Sequence, residues 1–133
     1  MTPARPRVHP AVWGFDRAAA RYEHGRPGYP SAAIRLLGKV LRIGPGTSTI
    51  ELGAGTGKFT RAWQRLGSAI LAIEPIPAMR RQFARSLPTV PVLPGTAESI
   101  PLPDRFADAV VAAQAFHWFR PAPALAEIRR VLR

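Results

Sequence analysis

Alternate glycines within Ser48-Thr49-Ile50-Glu51-Leu52-Gly53-Ala54-Gly55-Thr56-Gly57-Lys58 limit what this chain can fold into more than any other feature. A short stretch with β-branched residues ends in an acid, and three alternate glycines follow. Phe59, Ala62, Trp63 and Leu66 then recur at the spacing of one helix face. A strand running through a glycine turn into a helix presents backbone N–H groups and a positive dipole end at the strand's carboxyl edge. Glycine suits the turn because a Cβ would obstruct both the turn and a ligand's approach to the main chain. The pattern reads as a nucleotide-type cofactor site.

Two glycine motifs are excluded by spelling. In a phosphate-binding P-loop, G-x-x-x-x-G-K-[ST], Leu52 would stand at the first glycine and Phe59 at the hydroxyl. In the dinucleotide fingerprint G-x-G-x-x-G, Lys58 takes the third glycine's place and Gly57 comes one residue early.

The flanking sequence supplies a framework. Residues 1–14 are rich in Pro and Arg without apolar period, so they read as a mobile arm ahead of a domain over 15–133. Phe15–Tyr22 is compatible with a short helix, and His24–Pro30 breaks it. Ser31 is placed to N-cap a helix over 32–41 that turns Ile34, Leu37 and Leu41 toward a core. After the glycine unit, Gly67 reads as a helix stop, and Ala69–Ile73 is an apolar run ending at Glu74, as in a strand covered on both faces. Pro77 opens a helix with Met79, Phe83 and Leu87 inward. Val90-Pro91-Val92-Leu93 is a third strand, put at the sheet edge by its proline. A loop with one helical turn over 95–103 leads to a fourth strand, Ala107–Ala113. The loop 114–120 is polar and aromatic, and a final helix over 121–132 buries Leu125, Ile128, Val131 and Leu132. Helices alternating with strands argue a parallel α/β sheet, with ligands outside the strands' carboxyl ends. Glu74 lies near the spacing from Gly53 at which an acid reaches a ribose, and a carboxylate can accept from both ribose hydroxyls.

Bulk properties narrow the functional classes. A chain of 133 residues without cysteine forms one domain with no disulfide framework, consistent with a reducing cytoplasm. No apolar run approaches the roughly 20 residues of a membrane span, so no membrane partner is expected. His9, His24 and His117 have no metal-ligand spacing, and no metal is expected. The net charge of +11 invites a nucleic-acid reading, but arginine supplies 17 of the 19 basic residues throughout the chain and accords with codon bias.

Together, E-x-G-x-G-x-G from Glu51, the acid Glu74, Gly95-Thr96-Ala97-Glu98-Ser99-Ile100-Pro101 and Gln114-Ala115-Phe116-His117-Trp118-Phe119 resemble the ordered loop motifs of class I S-adenosylmethionine (SAM)-dependent methyltransferases of small-molecule type. Tyr22, Arg26 and Pro27-Gly28-Tyr29-Pro30 resemble that family's entry segment, whose arginine pairs with the cofactor's carboxylate. The resemblance implies a Rossmann-like parallel sheet of order 3-2-1-4 with helices on both faces, and SAM as cofactor. It places Glu51, Gly53, Ala54, Gly55, Gly57, Glu74, Pro75, Thr96, Ala97, Glu98 and Gln114 at the cofactor, with Tyr22 and Arg26 lidding it. Thr96 stands where relatives commonly carry the acid that meets the adenine amino group. His117 and Trp118 would border a small-molecule acceptor. No catalytic residue is assigned; His117 is a candidate base only for an acceptor that must first lose a proton. The family continues beyond the equivalent of Arg133 into three more strands, so an open fourth-strand edge and self-association through it are expected. Two other classes stand beside the enzyme: a non-catalytic SAM-binding or partner-binding remnant, and a basic RNA-binding or RNA-methylating protein.

Overall fold

The computed structural model describes residues 28–133; the expected arm, the helix Phe15–Tyr22, and Tyr22 and Arg26 lie outside the described residues. Helix α1 (Ser31–Val40) leads into β1 (Ser48–Leu52), α2 (Lys58–Trp63), β2 (Ala69–Ile73), α3 (Pro77–Ser86), β3 (Val92–Leu93), β4 (Ala109–Val111) and α4 (Pro121–Val131). The strands form one parallel sheet of order β3-β2-β1-β4, as the motif order implied. Ile50 sits between Leu71 of β2 and Val110 of β4.

Strand alternation divides the core in two. Ile70 and Ala72 face α1, α2 and α3, where they pack with Ile34, Phe59, Trp63 and Phe83. Ile50, Leu52 and Ile73 face α4 and pack with Ala124 and Val131. Trp63 is fully buried, and its Nε1 donates to Thr49 Oγ1 at 3.1 Å, which satisfies the polar end of the ring. Gly57 and Gly67 are both left-handed, and a Cβ at Gly57 would come within 2.6 Å of Leu87 and 3.0 Å of Phe83. Gly57 therefore serves the packing of α2 against α3.

Several expectations need correcting. Ser31 is the first helical residue rather than the cap; Pro30 holds the cap position and no side chain bonds there. In α1 the buried pair is Ile34 and Gly38, while Leu37 and Leu41 are exposed. The reason is close approach: a Cβ on Gly38 would lie 2.8 Å from Leu66, so the bare carbon faces inward. Leu125 is likewise exposed, because Ala124 and Val131 carry the buried face of α4. The loop after β3 forms a tight turn with an antiparallel Thr96–Ser99 bridge instead of a helical turn. The loop after β4 holds a 3-10 turn, Phe116–Trp118. Strand β4 is shorter than expected, and Ala107 instead forms a parallel bridge with Leu132. The fourth-strand edge is therefore covered at its start by the chain itself. Among the described residues no helix is long and apolar enough to cross a membrane.

Candidate functional site

The loops leaving β1, β2, β3 and β4 converge on a cleft of about 640 Å3, counted to its solvent mouth. Of the expected residues, Gly53, Gly55, Glu74, Pro75, Thr96, Ala97, Glu98, Gln114 and Trp118 line it. Glu51, Ala54, Gly57 and His117 do not.

The glycine turn departs from the expected cradle of free N–H groups. Gly53 N and Ala54 N both donate to Ile73 O, Gly57 N donates to Ala54 O, and Gly55 N donates to Glu74 Oε1 at 2.9 Å. The following helix is six residues long, so its dipole is short as well. What the turn offers a ligand is a surface without side chains, with Gly53 and Gly55 both in the left-handed region. A Cβ on Gly53 would lie 2.8 Å from that of Ala115, so this glycine also lets the β4 exit pack against the turn. The Thr56 hydroxyl is buried without a hydrogen-bond partner among the described residues.

The two strand-end acids separate. Glu51 points away from the cleft beneath α2, 2% exposed, and Thr60 Oγ1 donates to its Oε1. Burial pushes its carboxyl up to about 8; the Thr60 bond opposes the rise and the Glu74 charge adds to it. Glu74 is 4% exposed yet lines the cleft. Its Oε1 accepts from Gly55 and its Oε2 accepts from Ile76 N at 2.7 Å, so the acid braces the turn on both sides. Each oxygen keeps a second lone pair. Burial raises this carboxyl too, against the bonds from Ile76 and Gly55 and the charge of Arg80. Arg80 Nη1 donates to the Glu74 carbonyl at 2.8 Å.

The loop carrying Thr96 and Ala97 is held from the opposite side. Glu98 Oε1 accepts from Arg120 N, tying the loop to the β4 exit. From α4, Glu127 Oε2 accepts from Ile100 N, and Arg130 donates to the carbonyls of Ile100 and Leu102. Arg130 also pairs with Asp104 and Glu127. His117, exposed and outside the lining, has its ring 4.6 Å, centroid to centroid, from that of the half-buried, cleft-lining Trp118. Ile76, Met79, Gly95, Ala113, Ala115 and Phe119 also line the cleft and were missed from sequence. Phe119 stands inside a motif already singled out, while Met79 reads only as an inward helix position after Pro77 and Ile76 carries no signal of its own. Among the described residues no cluster of metal-ligating side chains occurs.

Residues 50–133 match the methyltransferase domain family. An uncharacterized methyltransferase of Mycobacterium tuberculosis is 46% identical over 120 residues, which are 90% of this chain and 47% of that protein. A malonyl-(acyl-carrier protein) O-methyltransferase of Serratia marcescens is 32% identical over 120 residues, again 90% of this chain and 47% of the relative. Among solved structures, a protein described as a type II methyltransferase from Anaeromyxobacter dehalogenans is similar with a TM-score of 0.69 at 35% identity, covering 81% of this chain and 45% of that one. The chain spans about half the length of the curated relatives it matches. By its sheet order, its ordered loops and the match over residues 50–133, it belongs to the methyltransferase domain family.

Proposed function

We propose that the cleft binds SAM and that the chain serves methyl transfer to a small-molecule acceptor. The carrying observation is Glu74, a buried carboxylate that lines an open cleft and keeps lone pairs for a diol. The other lining residues suit an adenosyl group. Gly53 and Gly55 leave room beside the acid, Ile76 and Met79 supply apolar contact for a planar base, and Thr96 and Ala97 close the far side. Bound SAM supplies a methyl group on a sulfonium, already activated for displacement. The residues here have to orient it and exclude water. Gln114, at φ 52°, and Trp118 line the cleft at the β4 exit; Gln114 would lie against the cofactor, and Trp118 with His117 would border the acceptor. No residue is assigned to remove a proton.

Calorimetric titration tests the reading. SAM should bind the wild-type chain, and Glu74→Ala should bind it about 10- to 100-fold more weakly, the effect of losing hydrogen bonds to a charged group. Thermal melting checks that the variant still folds. Unchanged affinity in a folded variant would remove the sugar-binding role of Glu74. Transfer of labelled methyl from SAM to candidate acceptors then separates catalysis from binding alone.

A further inference from the structure

Helix α1 is the least buried element of its layer. Only Ile34 and Gly38 face inward, while Leu36 (62% exposed), Leu37, Val40 (68% exposed) and Leu41 form an outward aliphatic stripe over two turns. Arg35 and Lys39, one turn apart, run beside that stripe. Arg42 ends it in a left-handed conformation (φ 56°), held by Ile43 N donating to Gly38 O and Arg42 N donating to Lys39 O. Leu66 packs on Gly38, and Arg61 and Arg65, from the same segment as Leu66, are exposed. From Gly28 to Ala97 the acids are Glu51 and Glu74, both buried, so no carboxylate of that span neutralises this surface.

We propose that this face of α1 docks on the surface of an anionic lipid bilayer. The sequence gives no spanning segment, and none is needed: an amphipathic helix lying in the interface buries its apolar side among acyl chains while cations meet headgroup phosphates. Charge complementarity and the aliphatic stripe together select this occupant. A nucleic-acid backbone would engage the cations and leave four aliphatic side chains in water. This inference is independent of the cofactor reading.

Vesicle flotation of the 133-residue chain is the test. Binding is expected with phosphatidylcholine vesicles containing phosphatidylglycerol and should be absent with phosphatidylcholine alone. The double variants Leu36→Ser/Val40→Ser and Arg35→Gln/Lys39→Gln should each weaken it about tenfold or more, with unchanged thermal melting because all four residues are exposed. Failure to float, equal binding to neutral vesicles, or indifference to the serine variant would overturn the proposal. RNA-oligonucleotide binding that displaces vesicles and survives the serine variant would overturn it in favour of a nucleic-acid face. A dimer that this variant dissociates, without vesicle binding, would overturn it in favour of a contact between copies.

Discussion

From Ser31 to Ala97 the chain carries two acids, Glu51 and Glu74, and folds both beneath its surface, whereas Glu98, Asp104, Asp108 and Glu127 stay near solvent and hold partners. In the first region carboxyl groups act at the sheet: one supports α2 through Thr60, the other braces the glycine turn. In the second region they act as staples between distant segments. Asp108 accepts from Ser48 N, Glu127 from Ile100 N, and Glu98 from Arg120 N. The cations follow the same division: Arg130 and Arg133 pair with Asp104, Glu127 and Asp108, while Arg35, Lys39, Arg81 and Arg85 stand exposed on α1 and α3. Glu74, Glu98 and Glu127 thus fix loops around the cleft, while α1 and α3 carry exposed cations.

This division predicts opposite pH responses. Glu51 keeps its proton when folded up to about pH 8 but loses it near 4.5 when unfolded, so stability should fall as pH rises through that window. Glu51→Gln should remove the Glu51 part of the slope, leaving that of the buried Glu74, and stabilise the chain above pH 8 by several kcal/mol, on the order of 4. Denaturant unfolding from pH 5 to pH 9 measures this, and an unchanged slope would show that Glu51 is not the buried acid responsible. Glu127 behaves in the reverse sense. Its hydrogen bond from Arg130 leads the causes that hold its carboxyl below the ordinary value, so its contribution is present at neutral pH and lost as pH falls below about 4.5. Glu127→Gln should cost about 1 kcal/mol at pH 7, with faster amide exchange at Ile100 as the specific sign of a loosened loop. The smallest effect is expected for Arg81→Gln/Arg85→Gln on exposed positions of α3: stability within about 0.5 kcal/mol of wild type by thermal melting. A larger loss would mean that these cations hold partners after all.

The strands were legible because each announced itself locally: apolar runs at Ala69–Ile73 and Ala107–Ala113, a glycine turn after Leu52, and a proline at 91 marking an edge; their order came only with the family resemblance. The cleft was legible where motif residues follow strands, as with Glu74 and Ala97. Glu51 was not, because in a strand covered on both faces the alternation of Thr49 and Glu51 with Ile50 and Leu52 does not say which face holds the ligand. The clamp from Glu127 and Arg130 to Ile100 joins segments some 30 residues apart, and no local pattern encodes it. In α1 two apolar arcs compete, and choosing between Leu37 and Gly38 requires knowing where Leu66 will lie.

The parallel bridge between Leu132 and Ala107, with Arg133 N donating to Ala107 O at 3.0 Å, commits the outer side of β4 to a direction of travel. Polypeptide joining the sheet there in the same sense would simply lengthen a ladder whose offset is already dictated. A strand arriving head to tail would first have to peel away the residues that follow α4. Growth of the sheet on that flank is thereby polarised, and an antiparallel association of two such chains through β4 starts at a disadvantage.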